Sequence, residues 1–380
     1  WWAIFEKATS ELFELENAND VVFPKQVQSS NWYAEGRKLP RRQITFFAND
    51  GIDLRHILDF EHIPQALYET APIPFKTISG STRGFRVVKI IDLTADQVIV
   101  EERASKLGNW NDLPFVLLPG APIPTFVIQK VLRDEIGQHI LFSEAQGLDS
   151  FPLNAHNDIL LRRTPRQKSG KLPQLKTDIE SVMHALIESD NSYVAVQGPP
   201  GTGKTYVGAN VIVKLVRMGW RIGVVAQSHA VIENLLNNVQ KIDGAIPIAK
   251  KGQSVKNQLP YHIDEVATWA LTQTGGFVIG GTTWNFASTG LRSLNLDLMV
   301  IDEAGQYSLA NALVSLSCAR KALLLGDPQQ LPHVSQGRHP EPVDNSVLKH
   351  VLGDNKTMPQ NLGYFLSKTF RLHPSLAKPV

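Results

Sequence analysis

The amino-acid sequence predicts an α/β chain: a parallel-sheet domain in the C-terminal half, preceded by a small β-rich module between two helices. Three observations predict it. Five short apolar runs, Tyr193–Val196, Ile222–Ala226, Phe277–Ile279, Leu298–Ile301 and Ala322–Leu325, are continuous and rich in Val, Ile or Leu, as strands buried on both faces of a parallel sheet are. Helical stretches lie between most of them, which is the alternation of an α/β domain. Upstream, short β-rich runs broken by turn residues lie between two stretches of helical periodicity, without an internal repeat or a low-complexity segment.

Each element has its own signal. From Trp1 to about Ala18, Trp2, Phe5, Ala8, Leu12 and Leu15 recur three or four apart, the spacing of one helix face. Between about Lys38 and Leu118 the runs shorten, and Phe85–Ile91 and Gln97–Glu101, separated by Asp92-Leu93-Thr94-Ala95-Asp96, read as a hairpin. Several such strands suggest a small barrel or sandwich. Phe126, Val127, Val131, Leu132, Ile136 and Ile140 mark a second helix over roughly Pro124 to Phe142. Arg162, Arg163, Arg166, Lys168 and Lys171 form a basic stretch, read as a solvated connection or as a phosphate-contacting surface. Thr177 with Glu180 three residues on is a capping-box signature opening a helix to about Glu188.

Composition limits the function classes. At 380 residues, one hydrophobic core is too few, so two or three domains are expected. With 43% hydrophobic and 19% charged residues, the chain is an ordinary globular one and not a disordered one. A net charge of +2 excludes a globally basic nucleic-acid coat but leaves room for a local basic channel. Cys318, the single cysteine, excludes an internal disulfide and four-cysteine zinc or iron–sulfur sites. No apolar run reaches the roughly 18 residues of a membrane helix, so no membrane partner is expected. A cytoplasmic setting is the default. The chain opens on Trp1 without a visible signal peptide and reads as a piece of a longer protein.

Chemistry concentrates just past the apolar runs, where ligands bind in α/β sheets. After the first comes Gly198-Pro199-Pro200-Gly201-Thr202-Gly203-Lys204-Thr205, a phosphate-loop pattern. Its glycines let backbone N–H groups wrap phosphates, and the helix N-terminus behind it adds partial positive charge. Lys204 is placed to bridge the β and γ phosphates of ATP and Thr205 to ligate Mg²⁺. A Mg²⁺-nucleotide site also needs a carboxylate on the metal and a group that orients water. Asp302 and Glu303, in Leu298-Met299-Val300-Ile301-Asp302-Glu303-Ala304-Gly305-Gln306, supply them, Asp302 on the metal and Glu303 as general base. The third site is Gly326-Asp327-Pro328-Gln329-Gln330-Leu331-Pro332. Alone it is an ordinary turn, but a neutral amide there can bond both a γ-phosphate and the attacking water, and Gln330 is the candidate.

In this order and spacing, GPPGTGKT, DEAGQ and GDPQQLP resemble superfamily 1 helicases, especially the group with the nonsense-mediated-decay RNA helicase and its DNA-acting relatives. Ala226-Gln227-Ser228-His229-Ala230-Val231-Ile232-Glu233-Asn234-Leu235-Leu236 looks like motif Ia, Gly280-Gly281-Thr282-Thr283-Trp284 like motif Ic, and Thr369-Phe370-Arg371-Leu372-His373-Pro374 like motif IV. The wording around them looks closest to bacterial proteins that fuse a RecB-like nuclease to such a helicase. The resemblance implies a RecA-like P-loop ATPase domain preceded by a β-barrel flanked by stalk helices. It implies contacts from Ser228, Thr282 and Thr283 to the backbone of single-stranded DNA or RNA, and an Arg371 that reaches the γ-phosphate. Phe370 stands where the family often has a Tyr packing near the adenine, and either ring can stack. Of two candidates for an adenine-reading glutamine, Gln174 is better placed than Gln167.

On this reading the domains are a stalk helix and connection over 1–35, a β-barrel-like module over 36–120, and a second stalk helix over 121–155. The first RecA-like domain follows over 156–350, and 351–380 is a linker and the start of a truncated second one. Motifs V and VI are absent, so the chain is expected to bind nucleotide without processive translocation. A nuclease is expected in the same longer chain and not in this segment: no Glu-X-Lys occurs, and Gln65-Ala66-Leu67-Tyr68 is one residue short of the Gln-X-X-X-Tyr pattern. His229, His333 and Trp284 lie beside motifs and suit either nucleic acid or packing, and Trp1 and Trp2 suit helix anchoring better than base stacking. The expected function is an ATP-dependent helicase or translocase core. The alternative is a nucleotide-gated module that binds nucleic acid or protein without unwinding.

Overall fold

The computed structural model describes residues 15–16, 21–34, 36, 39–58, 63–72, 81–106, 108–118, 125–141, 151–251, 261–330 and 343–370. The chain divides into two compact units, Trp1–Pro124 and Thr125–Val380.

The first unit holds strands β1 (Gln26–Ser29), β2 (Arg41–Phe47), β3 (Gln65–Tyr68), β4 (Gly84–Val87), β5 (Lys89–Leu93), β6 (Gln97–Arg103) and β7 (Val116–Leu118). They form two antiparallel sheets, ordered β1-β2-β6-β5 and β4-β3-β7. The predicted hairpin is β5–β6, but the run from Phe85 splits at Val88, so that β4 joins the other sheet. Alternation in β2 buries Arg42, Ile44 and Phe46. Arg42 is only 2% exposed and is fully engaged. It donates to Glu102 (2.9 Å), to the Tyr68 hydroxyl (3.0 Å) and to the carbonyls of Trp110 (3.2 Å) and Asp112 (2.7 Å). A buried guanidinium is tolerated only when paired in this way, and here it ties β2, β3 and β6 together. Of the predicted first helix, Leu15 and Glu16 are described and helical, with Leu15 buried. The rest of it, Trp1 and Trp2 included, lies outside the described residues.

The second unit opens with α1 (Phe126–Val131), which continues through a π-helical turn at Leu132–Gly137 and further helix to residue 141. Ile128, Val131 and Ile136 are buried, whereas Phe126, the first residue of the helix, and Ile140 are exposed; the extra residue of the π turn shifts the apolar stripe after it and so accounts for Ile140. Next come α2 (Ala155–Leu160), α3 (Asp178–Glu188), β8 (Tyr193–Gln197), α4 (Lys204–Arg217), β9 (Arg221–Val225), α5 (His229–Ile242), β10 (Ile248–Lys250) and α6 (Val266–Thr272). They are followed by β11 (Phe277–Gly280), α7 (Thr283–Phe286), α8 (Thr289–Arg292), β12 (Leu296–Ile301), α9 (Leu309–Leu316), β13 (Ala319–Gly326), α10 (Val347–Leu352) and β14 (Gly363–Phe365).

Seven of these strands form one wholly parallel sheet, ordered β10-β11-β9-β12-β13-β8-β14. All five predicted strands are present as β8, β9, β11, β12 and β13. The two edge strands, three residues each, were not predicted, and β14 falls in the segment expected to be a linker. Successive residues of the central strands face opposite cores. Ala195, Val225, Met299, Ile301 and Leu324 pack on one side of the sheet. Val194, Val196, Val224, Val300 and Leu323 pack on the other. The cap on α3 is as expected, Thr177 Oγ1 accepting from the Glu180 N–H at 3.2 Å.

The basic stretch divides: Arg162, Lys168 and Lys171 are exposed, whereas Arg163 and Arg166 are paired. Arg166 donates to the buried Asp158 (3.0 Å) and to Asp190 (2.7 Å), and Arg163 lies 3.6 Å from Asp158. Two of its arginines therefore brace α2 to the sheet. Beside them, the rings of His139 and His156 stack at 6.1 Å and 5°, with His156 Nε2 buried and unpartnered.

The ends of β12 and β13 approach with backbone on backbone. A Cβ on Gly305 would fall within the Asp327 carbonyl group, and one on Gly326 would lie 2.6 Å from the Gly305 nitrogen. Gly305→Ala should therefore cost about 1–3 kcal/mol, while Gly275→Ala, with nothing within 4 Å, should change stability by less than about 0.5 kcal/mol. Equal denaturant midpoints for the two variants would contradict the close approach. A second expectation concerns pH. Burial, and then the charge of His139, hold His156 near a pKa of about 4, below its ordinary 6.5. Its neutral form contributes stability that is complete above pH 6.5 and is lost as pH falls toward 4. Replacing His156 with Gln should flatten that limb of the pH–stability curve by up to about 3 kcal/mol, and a wild-type slope in the variant would refute the assignment.

Candidate active site

At the C-terminal ends of β8, β12 and β13 lies a cavity of about 570 Å³. The phosphate loop contributes Pro200, Gly201, Gly203, Lys204 and Thr205, and four other segments contribute Asn234, Glu303, Gln330 and Phe370. The loop's shape comes from its glycines. Gly201 and Gly203 have φ of +83° and +82°, a region that L side chains avoid. Gly198 leaves no room for a Cβ, which would lie 2.9 Å from Lys204 Cγ and 3.3 Å from Leu366 Cβ. Pro199 turns its carbonyl inward to accept from the Thr202 hydroxyl at 2.8 Å. Lys204 is buried, and its Nζ donates to the Gly198 carbonyl at 2.7 Å, folding the ammonium back across the loop. The loop is also held from outside. The Gly198 N–H donates to the Gly326 carbonyl (3.0 Å), and the Phe370 N–H donates to the Gly201 carbonyl (2.8 Å).

Asp302 and Glu303 stand together at the end of β12. Asp302 is 1% exposed. Burial, reinforced by the neighbouring Glu303, pushes its carboxyl up to about 7, against the Glu303 N–H and Lys204, which act the other way. Its Oδ1 accepts from that N–H at 3.0 Å. A buried carboxylate short of positive charge, within electrostatic reach of Lys204 in the phosphate loop, suits a divalent cation. Glu303 adopts φ of +52°, a left-handed backbone that costs a non-glycine residue of order 1 kcal/mol. Gln330, beyond β13, reaches the same cavity. The Asp327 carbonyl accepts from its backbone N–H at 3.3 Å, so the turn itself aims the amide.

The candidate nucleic-acid residues lie farther along the sheet edge. Ser228, exposed beyond β9, caps α5, its Oγ accepting from the Val231 N–H at 3.3 Å. Thr282 follows the adjacent β11, its hydroxyl donating to Asn285 Oδ1 at 3.0 Å. Thr283 differs from expectation. It is 2% exposed, and its hydroxyl points into the core, 2.5 Å from the Tyr307 hydroxyl. It is the first residue of α7, so the helix turns its side chain inward while Thr282 stays half-buried at the surface. His229 and Trp284 are half-buried, with Trp284 packed against a small apolar cluster.

Gln174 is not in the phosphate cavity. It borders a separate one of about 620 Å³ with Lys171, Leu172, Pro173, Gln360 and Asn361. Gln167 is 8% exposed, and neither end of its amide has a hydrogen-bond partner. Arg371 and His333 lie outside the described residues. Two residues at or beside the site had escaped the sequence reading. Asn234 lines the cavity from α5, and its one signal is that it is a polar residue between the core positions Ile232 and Leu235. Tyr307 joins the Asp302–Gln306 segment (motif II) to α7 through its hydroxyl, which nothing in an apolar-looking sequence position announces. Among the described residues, no group of three or more His, Cys, Asp or Glu side chains could hold a metal ion, and no helix is long and apolar enough to cross a membrane.

Comparison with known proteins agrees with this geometry. The AAA_30 family model, an AAA domain, matches residues 174–351. The DNA replication ATP-dependent helicase/nuclease DNA2 of Saccharomyces cerevisiae is 28% identical over 165 residues, covering 41% of this chain and 10% of that protein. The regulator of nonsense transcripts 1 homolog of Drosophila melanogaster is 32% identical over 90 residues, covering 22% of this chain and 7% of that protein. The chain thus spans a tenth or less of the length of these two relatives. Among solved structures, an arterivirus nonstructural protein 10 (helicase) complex with DNA aligns at 16% identity and a TM-score of 0.33, over 74% of this chain and 47% of that one. With the loop, the paired acids and the glutamine turn following one another within the matched residues, 174–351 form a P-loop domain that is similar to the cores of superfamily 1 helicases.

Proposed function

We propose that this chain binds ATP with Mg²⁺ and hydrolyses it to drive a helicase or translocase acting on single-stranded nucleic acid. One observation carries the proposal: Lys204, Thr205, Glu303 and Gln330, from three separate strand ends, line one cavity. The phosphate-loop N–H groups and Lys204 would hold the β and γ phosphates. Thr205 and Asp302 would hold Mg²⁺, which when bound neutralises charge on the phosphate oxygens. Glu303 takes a proton from water, and Gln330 aligns that water with the γ-phosphate. Phe370 offers its exposed ring to the nucleotide from the cavity wall, and Arg371, the next residue, adds positive charge to the phosphates. Gln174, which borders the separate cavity, is the candidate for reading the base. Ser228 and Thr282 contact the strand's phosphates, so that binding weakens with salt, whereas the Thr283 hydroxyl is excluded from that role by its burial.

The DNA2 relatives are named as DNA replication enzymes that join an ATP-dependent helicase to a nuclease, which makes DNA the first track to test. A nuclease in the same longer chain, a cytoplasmic setting and a likeness to bacterial nuclease–helicase fusions belong to the same proposal.

The test is steady-state ATP hydrolysis by the natural-length protein, alone and with single-stranded DNA or RNA. Lys204→Ala should lower the rate roughly 10²–10³-fold. Glu303→Gln should lower it roughly 10²–10⁴-fold with nucleotide binding retained. Unchanged hydrolysis in Glu303→Gln would refute its role as base. A wild-type rate indifferent to both polymers would favour a nucleotide-gated binding module over a motor.

A further inference from the structure

Motif II does not end at Gln306 in this fold. The segment Asp302–Tyr307 is pinned at two points. Near its start, the Ala304 N–H donates to the Leu325 carbonyl at 2.8 Å. At its end, the Tyr307 carbonyl accepts from the Val347 N–H at 2.8 Å. Immediately before the first of these points lies the strained Glu303, with φ of +52°. The Tyr307 ring is 1% exposed, and its hydroxyl sits between two others, 2.5 Å from Thr283 Oγ1 and 3.0 Å from Ser315 Oγ. Thr283 and Ser315 are themselves buried, at 2% and 0% exposure. This chain of hydroxyls joins the catalytic turn to the first residue of α7. The residue before it, Thr282, is the candidate strand contact.

We infer that Tyr307 is a positioning residue that couples the nucleotide site to the nucleic-acid site, its hydroxyl holding α7 in register with motif II. The inference rests on the functional reading above. A turn that stores backbone strain at one end and is bonded to a neighbouring helix at the other can pass a shift at Glu303 directly to Thr282. Burial makes the link specific. No water is on hand to replace a missing partner, so deleting one hydroxyl leaves the others unsatisfied and releases α7 from the turn. Thr283 is engaged in this chain, which accounts for its absence from the surface.

The experiment compares hydrolysis with and without saturating single-stranded DNA in the natural-length protein. Tyr307→Phe keeps the ring and removes the hydroxyl. It should cut the DNA-stimulated kcat by at least about fivefold, the lower end of ordinary coupling factors, and leave the unstimulated rate and the KM for ATP within about twofold. Thr283→Val, nearly isosteric, should reproduce this from the other side of the bond, and Thr283→Ser, which keeps the hydroxyl, should restore stimulation. The Tyr307→Phe, Thr283→Val double variant should be no worse than either single one. Thr283→Val also supplies the answer should Tyr307→Phe fail to fold. Stimulation kept within twofold in either single variant would overturn the inference, as would equal losses of the stimulated and unstimulated rates. A wild type that DNA and RNA both fail to stimulate would overturn the motor reading and this inference together. A stimulated wild type with an equally stimulated variant would overturn this inference alone.

Discussion

The arrangement depends on how closely two parallel strands finish. Gly305, four residues beyond β12, and Gly326, the last residue of β13, are in backbone contact, and no side chain fits between them. That contact brings Glu303 after β12 and Gln330 after β13 into one cavity, and the Gly198 N–H extends it to the phosphate loop through the Gly326 carbonyl. Three loops that are far apart in sequence thus share hydrogen bonds through one glycine. A side chain at either position would separate the loops by about the width of a methyl group, and positioning errors near 1 Å are costly in catalysis.

The same compactness shapes the electrostatics. Two carboxyls stand side by side, and one of them, Asp302, is almost fully buried. Lys204, the nearest cation, is bonded instead to a carbonyl of its own loop. Asp302 is therefore held well above the usual carboxylate range. Such a site is poorly suited to a resting ion pair and well suited to accepting positive charge from outside. The lysine is likewise held by a neutral acceptor, which a phosphate oxygen can displace at little cost because charge-assisted hydrogen bonds are the stronger.

Most of this was legible from residues alone, for a physical reason. Central strands such as β8, β12 and β13 must be apolar on both faces, so their runs stand out, and the glycines and acids that follow are constrained by backbone approach and by charge. Edge strands carry neither signal. β10 and β14, three residues each, are set by pairing with β11 and β8 and have no pattern of their own. The stripe that starts in α1 was misjudged at Ile140 because one π turn shifts the phase of everything after it, and periodicity assumes a constant pitch. Arg163 and Arg166 were read by composition, whereas their partner Asp158 is set by tertiary packing. Thr282 and Thr283 show the limit most clearly: two identical adjacent residues, one at the surface and one in the core, separated only by where the helix begins.

The strand order separates the two sites proposed for this one sheet. The phosphate loop, the acids and Gln330 follow β8, β12 and β13, while Ser228 and Thr282 follow β9 and β11 on the other side of β12. β12 is thus the boundary between the two regions, and Tyr307, just beyond its end, faces the second while Glu303 faces the first. α5 crosses the same boundary, with Ser228 capping its N-terminus and Asn234 lining the nucleotide cavity nearly two turns later. A helix and a turn, each rigid over a few residues, join the two regions, so communication between them requires no unfolding and no long relay. Two short rigid links in parallel also resist shear better than one. On the proposed function, a displacement at the phosphates moves the edge that carries Ser228 and Thr282 as a body, which is the movement a translocating ATPase needs from its first domain.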